Sequence, residues 1–245
     1  MNETTRLLKS HRSIRKFKDV PLSDEIIAEI MSCGQSAATS SNVQAVSVIQ
    51  VVNPETRQAL AGLAGGQPYV ASAGAFFVFC ADLQRSAAAC ETRGGTFSSG
   101  MTEHFMIATI DVALFAQNCV VAAESMGLGI CYIGGLRNNP AEVSALLELP
   151  QQVYPVFGLC IGEPAQDPDV KPRLPLAAVL MREVYSRQDQ SEWVADYDKT
   201  LQHYYQTRTG GNKSSTWSEE MKALVGKESR PHMKAFLADQ GFVMR

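Results

Sequence analysis

Apolar residues recur along this chain with two periods. Ser23 precedes Asp24 and Glu25, and Ile26, Ile27, Ile30 and Met31 follow at helical spacing; this predicts an amphipathic helix ending near Gly34. Asn53-Pro54 offers an N-cap and a proline at the first helical position, predicting a helix to about Ala64 that Gly65-Gly66-Gln67-Pro68 breaks. Residues 46–52, 75–81, 130–133 and 156–161 read as strands, and the unbroken apolar run 75–81 reads as a buried one. Further helices are predicted over 140–147, 189–206, 217–225 and 231–239, the second of these ending at Gly210-Gly211. Residues 36–42 are a small, polar loop, 84–100 a Gly/Ser-rich variable or mobile excursion, and 163–175 a proline-studded loop. A second region begins near Ser186. Helices and strands interleave, so the class is mixed α and β.

The most informative stretch is 105–126, where sixteen of 22 residues are apolar. Asp111, Gln117, Asn118 and Glu124 interrupt it, at spacings that suggest one narrow polar stripe. A helix otherwise apolar around its circumference must be covered nearly all round. A core helix, or one shared across a dimer interface, satisfies this; the interrupting charges argue against a membrane span.

Composition adjusts this picture modestly. The chain has 245 residues, enough for one ordinary globular domain or one domain with an appendage. A formal net charge of -3 argues against a general nucleic-acid binder. The average conceals a pattern: residues 1–18 carry net +5, residues 199–234 net +4, and residues 19–198 net -12. Residues 1–20 lack the apolar core of a secretory signal. The six cysteines form no CxxC pair and sit mostly in apolar runs, so they read as buried free thiols in a reducing cytoplasm. The four histidines have no metal-ligand spacing, and no metal site is expected.

Candidate chemistry is concentrated in a few places. His11-Arg12-Ser13-Ile14-Arg15 gathers three basic side chains and a hydroxyl, and Arg12 and Arg15 could share one face of a helical turn. Such a cluster suits a phosphate, although a solvated basic face is the competing reading. Lys171-Pro172-Arg173-Leu174-Pro175 holds two cations between stiffening prolines, suiting either anion capture or an ordinary rigid surface loop. Tyr132-Ile133-Gly134-Gly135 runs a strand into two glycines, where a ligand can approach the backbone. Ser40, Ser41, Gln44 and Gln67 add neutral polar groups on loops. No GxSxG, Walker or GxGxxG motif occurs. If the chain is an enzyme, a cofactor carries the reaction, and no side chain is assigned as catalytic.

Taken in order, the His11–Arg15 run, the Ser/Thr-rich loop 39–41 with Gln44, Gly65-Gly66-Gln67, Tyr132 to Asn139, Phe157 to Cys160, the 171–175 loop and the Lys227–Pro231 stretch strongly resemble the oxygen-insensitive NADPH nitroreductases and the related NADPH–FMN oxidoreductases, the flavin reductases. The resemblance covers essentially the whole chain. It implies an α+β, nitroreductase-like fold: a central, mixed, mostly antiparallel sheet flanked by helices, in an intertwined cytoplasmic homodimer. Residues 1–245 would form one FMN-binding domain, with 186–245 a helical extension contributing to NADPH binding and the dimer.

The resemblance also implies roles. His11, Arg12, Ser13, Ile14 and Arg15 would surround the phosphate and ribityl chain of tightly bound FMN. Ser40 and Gln67 would bond the flavin or ribityl group, and Tyr132, Ile133, Gly134 and Gly135 would lie along the ring. Lys171, Pro172 and Arg173 would meet its polar edge and phosphate. Ser41, Asn42, Arg208, Lys213 and Arg230 would serve NADPH or the acceptor. Asn42 stands where relatives can carry a bulky apolar residue, and Lys213 where they can carry arginine. The implied activity is ping-pong, two-electron reduction of nitroaromatics, quinones or free flavin by NADPH. The alternatives are a dedicated supplier of reduced flavin and a flavin-binding protein without turnover.

Overall fold

In order, the computed structural model has helices α1 (Glu3–Lys9) and α2 (Asp24–Gln35), strand β1 (Val46–Gln50), helices α3 (Pro54–Leu63) and α4 (Tyr69–Ser72), strand β2 (Ala75–Asp82), helices α5 (Gln84–Thr92) and α6 (Thr102–Ser125), strand β3 (Gly129–Ile133), helix α7 (Pro140–Leu146), strand β4 (Val153–Gly162) and helices α8 (Gln190–Thr207), α9 (Trp217–Val225) and α10 (Met233–Asp239). It describes residues 2–208, 210 and 213–242. Gly211, half of the expected helix stop, lies outside them.

Chain contacts divide the molecule into two units, residues 1–166 with 230–245, and residues 167–229. The second unit therefore starts before Ser186, and the last helix, α10, belongs to the first unit.

The first unit is built on β2. Every residue of that strand is buried, as its unbroken apolar run requires. The sheet order is β1-β2-β4-β3. Every strand pair in it is antiparallel, so the expected mixed sheet is corrected; the parallel element is an isolated bridge between Ser13 and Ile130. Alternation along β2 serves two layers. Phe77, Phe79 and Ala81 join a core with Ile27 and Ile30 of α2 and Val112, Ala116 and Val120 of α6. Phe76, Val78 and Cys80 join a second core with Leu60 of α3, Val70 of α4 and Val143 of α7.

The caps behave as the sequence suggests. Ser23 accepts from the Ile26 amide, and Asn53 accepts from the Thr56 amide with Pro54 at the first helical turn. Several elements differ from expectation, the short helix α4 among them. Helix α1 is set by Asn2, whose side chain accepts from the Thr5 amide at 2.9 Å. Within 84–100, α5 forms because the Asp82 carboxylate receives the Gln84 amide at 2.9 Å. Strand β1 stops at Gln50, short of 52. Strand β4 begins at Val153, before Pro155, because a register shift opposite Phe79 and Cys80 accommodates that stretch.

Helix α6 corrects the single polar stripe. Residues seven apart lie nearly in line, but the Asp111/Asn118 and Gln117/Glu124 pairs are separated by roughly a third of a turn. Asp111 is 2% exposed. Asn118 donates to the Cys33 carbonyl, and Glu124 meets His11. The outward row is apolar instead: Met106, Ile110 and Leu114 are exposed. Among the described residues this is the one helix long and apolar enough to cross a membrane, yet its inner face packs into the first core.

The second unit has a small aromatic core of Tyr197, Leu201 and Tyr205, with Leu174, Tyr204 and Trp217 against it. Helix α9 starts in a capping box of Thr216 and Glu219. The segment through Leu176, Val179, Leu180, Val184 and Tyr185 leaves all five side chains exposed. Of the six cysteines, all free, Cys80, Cys119, Cys131 and Cys160 are buried, whereas Cys33 and Cys90 are half-buried.

Candidate functional site

The basic run 11–15 is not a helical turn. Ser13 bridges Ile130 and Phe17 bridges Pro164, and the Ile14 amide donates to the Ile130 carbonyl at 2.8 Å. The shared-turn geometry expected for Arg12 and Arg15 therefore does not hold. Ile14 is buried against β3, and a Cβ on Gly129 would strike its side chain, so glycine at 129 permits the close approach. The hydrophobic Ile14 thus anchors the segment, and the polar residues beside it are carried by a fixed backbone.

Two of those polar residues are held by partners. His11 Nδ1 lies 2.6 Å from Glu124 Oε1 on α6, leaving Nε2 for another partner. Arg15 lies near the Tyr69 hydroxyl, which donates to Gln67 Oε1 at 2.6 Å. Burial raises the Tyr69 pKa against the lowering influence of Arg15. Gln67 in turn donates from Nε2 to the Ala64 carbonyl at 2.7 Å. Its amide is thus committed first to its own loop, with one N–H left over.

The turn after β3 packs onto that loop. Gly134 and Gly135 open a 3-10 helix, Gly134–Asn138, and a Cβ on Gly135 would strike the Ala64 carbonyl and Gln67 Nε2. Glycine at 135 is therefore demanded by close packing of the two loops. Tyr132 sits edge-on to Phe157 with ring centroids 5.0 Å apart, and burial pushes its pKa up. Arg230, at φ +51°, donates from Nε to Asn138 Oδ1 at 2.9 Å, and His232 Nε2 meets the Arg137 carbonyl at 3.0 Å. His11, Arg15, Gln67, Tyr132, the two glycines and Arg230 are thus joined through β3 and its following turn.

Ser40, Ser41 and Asn42 hang on a different anchor, which sequence reasoning assigned to a helix stripe. The Asp111 carboxylate accepts from the Thr39 hydroxyl at 2.6 Å, the Ser40 amide at 3.0 Å and the Ala45 amide at 3.2 Å. Three donors satisfy a charge that burial would otherwise penalise. The loop they hold is strained, with φ of +47° at Ser41, +58° at Asn42 and +53° at Gln44. A cavity of about 370 Å³ beside it is lined by Thr39, Gln44, Arg85, Asp111 and Phe115 among others. The signal available in the sequence was a carboxylate inside an apolar helix.

Within the second unit, cations gather on one aromatic ring. Lys171, Arg208 and Lys213 lie 5.2, 4.8 and 4.7 Å from the Tyr205 ring centroid. Arg208 also lies 5.7 Å from the Tyr204 ring, and among the described residues its buried Nε has no hydrogen-bond partner. Lys171 is brought there by its loop: Tyr197 donates to the Pro172 carbonyl at 2.8 Å, and Tyr204 to the Asp169 carbonyl at 3.1 Å. Arg173 donates back to the Lys171 carbonyl. Glu220 alone among these contacts brings negative charge. It pairs with Lys213 and accepts from Ser215 at 2.9 Å and Tyr205 at 3.2 Å. Burial works to raise its pKa, but those three partners outweigh burial and lower it; the same contact raises the Lys213 pKa. Three cations against one carboxylate leave this ring with net positive charge, since aromatic faces order cations without neutralising them.

A sequence model described as the nitroreductase family matches residues 8–163, and one described as that family's C-terminal domain matches 171–245. The chain is 44% identical over 245 residues to the NADPH-flavin oxidoreductase of Vibrio harveyi, covering all of both chains. It is 44% identical over 246 residues to the FMN reductase (NADPH) of Bacillus subtilis strain 168, covering 99% of each. Among solved structures, B. megaterium NfrA1 superposes with a TM-score of 0.96 at 47% identity, over 99% of this chain and 100% of that one.

Proposed function

The chain belongs to the nitroreductase family, and from that premise we propose that it is an FMN-dependent NADPH oxidoreductase working by a ping-pong cycle. Its acceptors are nitroaromatics, quinones or free flavin. FMN, when bound, supplies the hydride-accepting and hydride-donating ring; the protein contributes binding, orientation and electrostatics.

The residues present fit that group. Arg15 offers a charge-assisted donor for a phosphate, and His11, in the form with a proton on both ring nitrogens, offers a second from Nε2, on a segment fixed by the buried Ile14. We assign Arg12, Ser13 and Ile14 to the same phosphate and ribityl region. The spare N–H of Gln67 and the Ser40 hydroxyl suit ribityl or ring oxygens. Tyr132, Ile133, Gly134 and Gly135 suit a flat ring lying along the chain, since the glycines present no side chain. Lys171, Pro172 and Arg173 are assigned to the ring's polar edge and phosphate, where a cation stabilises negative charge on the reduced ring.

The single observation that carries the dinucleotide half of this reading is the orphaned Arg208 Nε beside the Tyr205 cations. A buried donor without a partner calls for an acceptor. Arg208 and Lys213 are assigned to the NADPH phosphates, and Ser41, Asn42 and Arg230 to the mouth of the acceptor site.

We further propose a cytoplasmic homodimer. The outward row Met106, Ile110 and Leu114 and the exposed apolar segment around Leu180 support it, because burying such surface needs a second chain.

The test is an absorption spectrum of the purified protein before and after anaerobic NADPH. Flavin bands that bleach on addition are expected. Colourless protein that takes up no FMN would overturn the reading, and FMN that stays oxidised would indicate a binding protein without turnover.

A further inference from the structure

We propose that Glu220 restrains dinucleotide affinity by parking Lys213, and that Lys213 transfers from Glu220 to the ligand's phosphate on binding. The inference rests on the assignment of Arg208 and Lys213 to the NADPH phosphates.

The geometry favours a transferable lysine. Lys213 is nearly half exposed, with 47% of its side-chain surface accessible, whereas Glu220 retains 21%. The lysine is therefore the partner with room to move. Glu220 is not left bare when it goes, because Ser215 holds Oε1 at 2.9 Å and Tyr205 holds Oε2 at 3.2 Å. Each carboxylate oxygen keeps a neutral donor of its own. Lys213 is also positioned by the Tyr205 ring at 4.7 Å, a contact that does not involve the carboxylate.

Charge gives the sign of the effect. Of the cations on this ring, Arg208 and Lys213 are the two assigned to the dinucleotide, and with Glu220 they sum to +1 against a phosphate of about -1.5 to -2. Removing the carboxylate's charge raises that sum to +2 and frees the lysine without deleting a cation. A carboxylate in such a cage competes with the phosphate, and its neutral isostere does not. A ligand lacking the extra phosphate has less to gain, so Glu220 also sets how strongly NADPH is preferred over NADH.

The experiment is calorimetric titration of the flavin-loaded, full-length enzyme with adenosine 2′,5′-bisphosphate. It compares wild type, Glu220→Gln, Lys213→Gln and the double variant. Glutamine keeps one acceptor oxygen for Ser215 or Tyr205, and the other hydroxyl can turn to accept from its amide N–H. The Glu220→Gln variant should bind the bisphosphate about twofold to fivefold more tightly, in line with a part-exposed ion pair. Introduced on top of Lys213→Gln, the same change should give clearly less. The ratio of KM for NADH to KM for NADPH should rise in Glu220→Gln. Unchanged or weaker binding in Glu220→Gln would overturn the proposal, because Glu220 would then position Lys213 rather than compete. Equal tightening with and without Lys213 would overturn the transfer. If Arg208→Ala left bisphosphate binding unchanged, the assignment of the cage to the dinucleotide would fail first.

Discussion

The Thr39 hydroxyl lies 2.6 Å from Asp111 Oδ2, and through that contact a helix buried in the core holds a strained surface loop. The same carboxylate takes the Ser40 and Ala45 amides, so a single anion fixes both ends of the segment carrying Ser41 and Asn42. Asp111→Asn turns one acceptor into a donor facing donors. It should destabilise the protein by about 2–3 kcal/mol in urea unfolding. It should also raise KM for the acceptor more than KM for NADPH. Equal stability of mutant and wild type would show that the loop is held by other means.

His11 depends in the same way on Glu124. Glu124→Gln keeps the shape of the contact but removes its charge. FMN affinity, measured by fluorescence titration of the flavin-free protein, should fall roughly threefold to tenfold. No change would remove His11 from the phosphate site.

Arg208→Ala and Arg15→Ala should separate the two ligands. The first should raise KM for NADPH by roughly tenfold or more with FMN content intact, as expected for a lost charge-assisted hydrogen bond. The second should yield protein depleted of FMN. Loss of FMN from the Arg208 variant with unchanged NADPH kinetics would reverse these assignments.

Gly135→Ala puts a methyl group against the Ala64 carbonyl and Gln67 Nε2. Backbone cannot yield there as a flexible side chain would. A stability loss of about 1–3 kcal/mol is expected, together with weakened FMN binding. Retention of both would mean that the turn shifts freely.

The thiols offer a check on the core. Burial pushes Cys80 and Cys119 up to about 12, and raises Cys131 and Cys160 as well. These groups stay neutral and enclosed well above the ordinary thiol value of about 8.5. Because their folded pKa values are raised, their contribution to stability is complete below that value and is lost as pH climbs toward 12. With a thiol reagent at pH 8, at most Cys33 and Cys90 should react in the native protein. Rapid reaction of more than two thiols would contradict the packing.

Much of the fold was legible from local chemistry. Ser23, Asn53 and the apolar run 75–81 announce their elements because capping and burial patterns are short-range. Helix α1 and the early start of β4 were not legible, since one rests on a lone Asn2 cap and the other runs through Pro155. Among candidate site residues, Arg15, Gln67 and Arg208 carried a chemical signal of their own. Asp111 and Glu124 stood out only as charges inside an apolar helix, and Tyr69, Tyr205 and Glu220 not at all, because a side chain that orients another is recognised only by what it touches.

The sequence by itself determined the four strands and most of the helices, the basic runs, and the resemblance that implied flavin and dinucleotide chemistry. Those follow from residue type, order and spacing. Tertiary structure decided that the 11–15 run is extended and pinned by Ile14 rather than turned as a helix. It also decided that Asp111, Asn118 and Glu124 of α6 face partners while its apolar row faces out, and that cations separated by up to 42 positions meet on one tyrosine ring. Such pairings depend on how distant segments pack, and packing is a property of the whole core rather than of any local stretch.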